Sequence, residues 1–260
     1  MDIQALILAG GRGTDLRPLT VYTPKPVVPV VNRPLLYYQI ELLKRAGITD
    51  VTLSLNYQPD KINTIFGDGS ELGMNIKYVT EAQDFGSAGA YKNANLDPEK
   101  TTIVLKSGIV TNLILAKVIK RHRESKSCAT VCTTNKPSEH ISPFVELGSD
   151  SEIISMREKI VAEDKLSART NPMVAGIYLL EPKVFSIVQE KERFSLEFDL
   201  LSRLLSEKHK LSAFDLDEFY WTYISTPSSY LSAHQDFLAG KMKNFEIERQ
   251  EFVDTAVTTF

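Results

Sequence analysis

The chain is poor in the residues that staple small folds or build metal-centred ones. Of its 260 residues only two are cysteine, Cys128 and Cys132. That is too few for a disulfide framework, so a reducing cytoplasm is the expected compartment. A zinc site would need two further ligands, and His122, His140, His209 and His234 stand at no spacing that supplies them. An excess of either charge is missing too: 30 Lys+Arg face 33 Asp+Glu, a formal net charge of -3. Such a balance gives no general electrostatic hold on nucleic acid or an anionic membrane, and neither is expected as a partner. The longest apolar runs, 3–9 and 174–180, are strand-sized and far short of a membrane span. Met1 is followed at once by Asp2 and a strand-like run, so no secretory leader is expected. What is present, 43% hydrophobic and 24% charged residues, is the balance of an ordinary folded protein.

Periodicity sets the order of elements. Residues 3–9 are apolar and bounded by Gly10 and Gly11, which favours a buried strand. Residues 34–46 place Leu35, Tyr38, Leu42 and Leu43 on one helical face, with Pro34 suited to the first turn and Gly47 to the C-cap. Further strands are expected at 51–55, 75–79 and 102–105, and helices at 59–66, 88–94 and 113–123. Strands separated by helices at this spacing feed a mostly parallel sheet through crossovers. From residue 128 the texture becomes strand-rich, at 129–133, 144–147, 153–157 and 173–180; helical patterns return at 182–189, 196–206 and 227–238. The reading is an α/β fold: a Rossmann-like mixed, mostly parallel sheet flanked by helices, with a smaller strand-rich lobe. Residues 1–240 form a single domain, divided into halves of about 1–127 and 128–240, with a tail at 241–260. Cys128 and Cys132, at even spacing, are expected to share one face as small apolar residues. The basic run 117–123 reads as the solvated face of its helix.

After the first strand the chain reads Leu8-Ala9-Gly10-Gly11-Arg12-Gly13-Thr14-Asp15-Leu16, then Thr23-Pro24-Lys25-Pro26. Consecutive glycines after a strand let backbone N–H groups approach phosphate oxygens, and Lys25 adds a point charge there. The run lacks the Gly-Lys-Ser/Thr of a Walker loop. Leu16 stands where the dinucleotide fingerprint needs its third glycine. Alone, it reads as readily as a plain glycine turn.

Together with Lys25-Pro26, Pro29-Val30 and Pro34-Leu35, however, it resembles the sugar-phosphate nucleotidylyltransferase family. That family includes mannose-1-phosphate guanylyltransferases and glucose-1-phosphate nucleotidylyltransferases. The likeness continues in one order through Tyr57, Phe66-Gly-Asp-Gly69, Gly86-Ser-Ala-Gly-Ala90, Glu158-Lys159, Ala175-Gly-Ile-Tyr178 and Thr226-Pro227. The resemblance implies a nucleotide at Ala9, Gly10, Gly11, Lys25, Glu81, Gly86 and Ser87. It implies a sugar phosphate at Glu158, Lys159 and Gly176. Glu81 reads equally as a solvated loop carboxylate. The implied reaction is in-line attack of the sugar phosphate on the α-phosphorus, with pyrophosphate leaving and Mg²⁺ bridging the phosphates.

Several positions depart from the family pattern, and they fall on the chemistry. Asp15 stands where the family's Gly-Thr-Arg-Leu carries arginine, exchanging attraction for repulsion. Ile109 stands where an Asn-Gly-Asp aspartate holds Mg²⁺, and Tyr223 where Trp-x-Asp supplies the second carboxylate. Mg²⁺ demands oxygen ligands; Ile109 offers none and Tyr223 only a phenol of pKa about 10. On the sugar side, Val174 replaces the asparagine of Asn-Ala-Gly, and Pro143, in a Tyr-Gly position, has no N–H to offer. The expectation is therefore a family fold without catalytic residues or a resident cofactor, Mg²⁺ entering only where the family activity survives. Its expected role is that of a non-catalytic, regulatory partner of an active sugar-nucleotide pyrophosphorylase, or of a self-associating subunit. The alternatives are a stand-alone nucleotide or nucleotide-sugar sensor, a working transferase with rearranged ligands such as Asp15, and a purely architectural use of the fold.

Overall fold

The computed structural model describes residues 2–80, 84–139, 142–158, 171–188 and 193–242. The first apolar run is β1 (Ile3–Leu8), followed by the small hairpin β2 (Pro29–Val30) and β3 (Arg33–Pro34), which leads into α1 (Leu35–Arg45). Strand and helix then alternate as β4 (Asp50–Leu55), α2 (Pro59–Phe66), β5 (Asn75–Thr80), α3 (Gly86–Asn93) and β6 (Thr101–Lys106). Next come β7 (Ile109–Thr111), α4 (Leu115–Ser125), β8 (Ala129–Thr134), β9 (Phe144–Leu147), β10 (Ile153–Arg157) and β11 (Met173–Leu180). The remainder is α5 (Pro182–Ile187), a π-helical turn at Leu196–Leu201 that runs into α6 (Ser202–Ser206), β12 (Leu211–Asp215), β13 (Trp221–Tyr223) and α7 (Pro227–Leu238). Among these residues no helix is long and apolar enough to cross a membrane.

Nine strands form one sheet, in the order β10-β9-β11-β6-β1-β4-β5, with β8 pairing β11 and carrying β12. The run β6-β1-β4-β5 is parallel, as helical crossovers require. β11 turns the direction, antiparallel to both β6 and β8, so the strand-rich second half is built onto the same sheet. All eight residues of β11 are buried. They alternate between two cores, Ile177 and Leu179 facing one, Tyr178 and Leu180 the other. Each fully buried aliphatic side chain of this kind stabilises the sheet by about 1.5–3 kcal/mol. The register of β11 against β8 slips between Val174 and Tyr178, and Gly176 sits in that bulge at φ +79.

Three expectations change. Cys128 and Cys132 do not share a face: Cys128 precedes β8 and packs in one core while Cys132, inside the strand, packs in the other. Strand alternation starts only at Ala129, so the even spacing carried no facing information. In the basic run, Lys117, Lys120 and Arg123 are exposed, but His122 turns inward at 3% exposure, bonded to Thr130 and Glu181. The segment 196–206 is a π turn followed by a short helix, not one α-helix.

Candidate active site

The parallel strands end together. Leu8 pairs with Ser54 of β4 and with Lys106 of β6, so three strand ends stand in register at one edge. Open parallel sheets place their ligands outside these carboxyl ends. Here they border a cavity of about 820 Å³, walled also by Gly10, Gly11, Arg12, Asn56, Asp84, Gly86, Ser87, Arg193, Ser195, Glu197 and Asp199.

Most of the charges in this cavity are already matched. Arg193 lies 3.2 Å from Asp84, and Asp199 accepts from the Ser195 N–H at 2.6 Å. Lys106 is ion-paired with Glu197, which also accepts from the Tyr178 hydroxyl at 2.5 Å. Burial opposes charge on Glu197, but the Lys106 ammonium and the hydrogen bonds from Lys106 and Tyr178 outweigh it and hold the carboxyl below its ordinary range. Arg12, at the mouth, stands 6.0 Å from the centre of the Tyr57 ring.

Of the residues expected around a nucleotide, the structure gathers Gly10, Gly11, Gly86 and Ser87 on this one wall. Their local reasons differ. A Cβ at Gly86, where φ is +75, would lie 2.6 Å from the Phe194 carbonyl oxygen. That same oxygen accepts from the N–H groups of Ala88 and Gly89, and the Ser87 hydroxyl accepts from the Leu196 N–H at 2.7 Å. Gly86 and Ser87 thus shape the rim by binding the 194–196 segment. Gly11 has no such duty: a Cβ there would meet nothing within 4 Å. Ala9 is buried behind the wall, its N–H donated to Ser54. Glu81 and Lys159 lie outside the described residues, and Glu158 is exposed just beyond β10. Gly176 is not itself in the cavity lining; a Cβ there would lie 3.0 Å from Ile109 Cδ1 and 3.3 Å from Cδ of Lys106.

That ribbon pairs β7 with β13, and its register sets Tyr223 directly opposite Ile109. The two positions that the resemblance assigns to metal-holding carboxylates are therefore cross-strand neighbours. Ile109 is 1% exposed, in the core. The Tyr223 hydroxyl is held protonated, since burial and then the Glu197 charge push its pKa up. Lys25 lies against the same ring, its ammonium 4.5 Å from the ring centre. Burial, then the Lys106 charge, lower the Lys25 pKa to about 7, with Asp15 opposing. Neither Lys25, Ile109 nor Tyr223 borders the large cavity; Tyr223 and Trp221 instead line a second one of about 600 Å³.

These residues do not fit Mg²⁺. A divalent ion at the ribbon would find hydrocarbon, a neutral phenol and an ammonium, and repulsion between unit charges is about 4 kcal/mol at 4 Å for an effective dielectric near 20. Asp15 sits exposed on the turn Thr14–Leu16. Among the described residues no group of three or more His, Cys, Asp or Glu could hold a metal ion.

Sequence reasoning missed Lys106, Glu197 and Tyr178 as a linked set at the edge of the cavity. Two signals were available: a lysine ending an apolar strand, and a glutamate embedded in the apolar stretch beginning at Leu196.

Residues 4–240 match the family profile described as Nucleotidyl transferase. A UTP–glucose-1-phosphate uridylyltransferase of Synechocystis sp. is 30% identical over 259 residues, covering 94% of this chain and 66% of the relative. A mannose-1-phosphate guanyltransferase 2 of Candida glabrata is 34% identical over 244 residues, covering 92% and 63% respectively. The chain thus spans slightly less than two thirds of these relatives' length. Among solved structures, HddC of Yersinia pseudotuberculosis complexed with GMP-PN shares the fold at TM-score 0.72 and 24% identity, covering 90% of this chain and 99% of that one. The inositol-1-phosphate CTP transferase of T. maritima shares it at 0.69 and 17% identity, covering 94% and 97%.

Proposed function

The chain belongs to the nucleotidyl transferase family, and from that premise we propose that it is a non-catalytic member that regulates an active sugar-nucleotide pyrophosphorylase. The family is of the sugar-1-phosphate nucleotidylyltransferase type. In this reading the half 1–127 holds a nucleotide or nucleotide sugar through Gly10, Gly11, Arg12 and Lys25. The half 128–240 supplies the sugar side through Glu158, Lys159 and Gly176. The setting is the cytoplasm, in keeping with two unpaired, buried cysteines.

One observation carries the proposal: Ile109 faces Tyr223 across the ribbon, with an ammonium beside them. Departure of pyrophosphate needs its growing charge neutralised, and losing one preorganised stabilising group costs roughly 3–4 kcal/mol of barrier. Two missing carboxylates leave turnover negligible even where the losses add incompletely. The test is pyrophosphate release by the purified chain with each common nucleoside triphosphate and with mannose or glucose 1-phosphate. None is expected, and native extract should yield the chain together with a catalytic relative. Turnover abolished by Asp15→Ala would overturn the proposal in favour of rearranged ligands. The 820 Å³ cavity favours a second reading, a stand-alone sensor. That reading gains if the native chain elutes alone and still binds a nucleotide.

A further inference from the structure

Phe198 is the one large apolar ring on the cavity lining, and the fold does not bury it. It is 44% exposed, more than any other phenylalanine among the described residues. It joins none of the hydrophobic cores, and among the described residues no other aromatic ring packs on it. The other apolar side chains of the lining are Leu8 and the small Ala90. A ring open to a cavity releases the water it orders when a flat apolar surface covers it.

The backbone beneath the ring is fixed. Phe198 lies in the π-helical turn Leu196–Leu201, a geometry found frequently at functional sites. Leu196, Leu200 and Leu201 anchor that turn in the core, and the Phe198 N–H is donated to the Ser195 hydroxyl at 3.3 Å. The turn presents Glu197, Phe198 and Asp199 in succession to one cavity. Both carboxylates are engaged, Glu197 by Lys106 and Tyr178, Asp199 by the Ser195 N–H. On the same rim Arg193 pairs with Asp84, and the Ser87 hydroxyl accepts from Leu196. The polar groups of this rim are thus turned to the chain itself, and the ring is what remains for a ligand.

We propose that Phe198 is the platform on which the base of a nucleotide or nucleotide sugar stacks, so that the cavity recognises the base by its face and not by its edge. The inference rests on reading the cavity as a nucleotide site. Every base has a π face, so a stacked base is held whatever its edge carries. Discrimination between bases needs donors and acceptors left free for that edge, and on this rim they are already matched. Broad acceptance of bases follows, with purines favoured by their larger face.

The experiment is calorimetric titration of ATP, GTP, CTP, UTP and inorganic tripolyphosphate into wild type, Phe198→Ala and Phe198→Trp. The four nucleotides should bind wild type within roughly tenfold of one another, the purines more tightly. Phe198→Ala should lose roughly tenfold or more of the affinity for every nucleotide, and Phe198→Trp should keep it. Tripolyphosphate, which has no base, should bind all three proteins alike and more weakly than the nucleotides. Ligand-free melting temperatures should stay near that of wild type, since the ring stands outside the cores. Nucleotide affinity unchanged in Phe198→Ala, an equal loss for tripolyphosphate, or one base preferred by more than roughly tenfold overturns the inference and leaves the cavity reading standing. No binding of any of the four nucleotides removes the cavity reading, and the inference with it.

Discussion

The large cavity and the β7–β13 ribbon both start from the end of β6, yet they are built on opposite terms. Around the cavity, Lys106 is paired with Glu197 and Arg193 with Asp84, and at Gly11 the backbone leaves room that the chain's own packing does not use. In the ribbon the strand pairing is intact, with Tyr223 opposite Ile109, but hydrocarbon, a neutral phenol and the Lys25 ammonium against its ring stand there instead. Backbone hydrogen bonds and an apolar cross-strand pair of Ile109 with Tyr223 hold the ribbon without any carboxylate in it. The frame that brings two loops together is thus separable from the charges that would make those loops a metal clamp.

The largest effect that would break this contrast is on the cavity side. Glu197→Ala leaves the Lys106 ammonium, at the edge of the cavity, without its carboxylate and removes the acceptor of the Tyr178 hydroxyl. Breaking one partner of a buried pair costs about 3–5 kcal/mol, to be read as a lowered midpoint in urea unfolding. The double change Lys106→Met with Glu197→Leu should cost clearly less. A stable Glu197→Ala would mean that the cavity's charges are as loosely matched as those of the ribbon.

A somewhat smaller effect should appear on the ribbon side, as pH dependence. The folded pKa of Lys25 is about 7, against 10.5 in its ordinary state. Below both values the ammonium is buried at full cost; between them the unfolded chain binds the proton more tightly than the folded one. Stability contributed by this residue therefore rises as pH climbs from about 7 towards 10.5, by up to about 1.4 kcal/mol for each pH unit. Lys25→Met should be the more stable protein near pH 6 and lose that advantage towards alkaline pH, in paired denaturation curves. Curves that stay parallel across the range would show that Lys25 is solvated and not fixed against Tyr223.

The sheet was legible because its strands are short apolar runs between turn signals, as at 3–9 and 173–180, and because the crossover spacing implies parallel pairing. The ribbon was not. β7 and β13 are three residues each, too short for alternation to show, and their pairing joins segments more than 100 positions apart, as does the bond from Thr111 to the Tyr220 carbonyl. The departures at 109 and 223 could be seen as letters, but not that they face one another. Lys106, Glu197 and Tyr178 were hidden for the same reason: nothing local announces that a glutamate in one turn will meet a lysine at a strand end. Cys128 shows the complementary limit, since spacing has meaning only inside a regular element.

Two glycines on one cavity wall give the finest test of what that wall is for. Gly86 is demanded by the chain itself: φ is +75, and an added Cβ would press the Phe194 backbone at 2.6 Å. Gly86→Ala should cost roughly 2–3 kcal/mol, from left-handed strain and displacement of that segment. Gly11 has neither demand, so Gly11→Ala should leave stability within about 0.5 kcal/mol of wild type. Nothing in the described fold requires glycine at that position, so only a ligand approaching the backbone would notice the methyl group. A melting temperature that barely moves, beside a nucleotide affinity that falls severalfold, is the expected result for Gly11→Ala. Unchanged affinity would place the ligand elsewhere and reduce Gly11 to part of a turn.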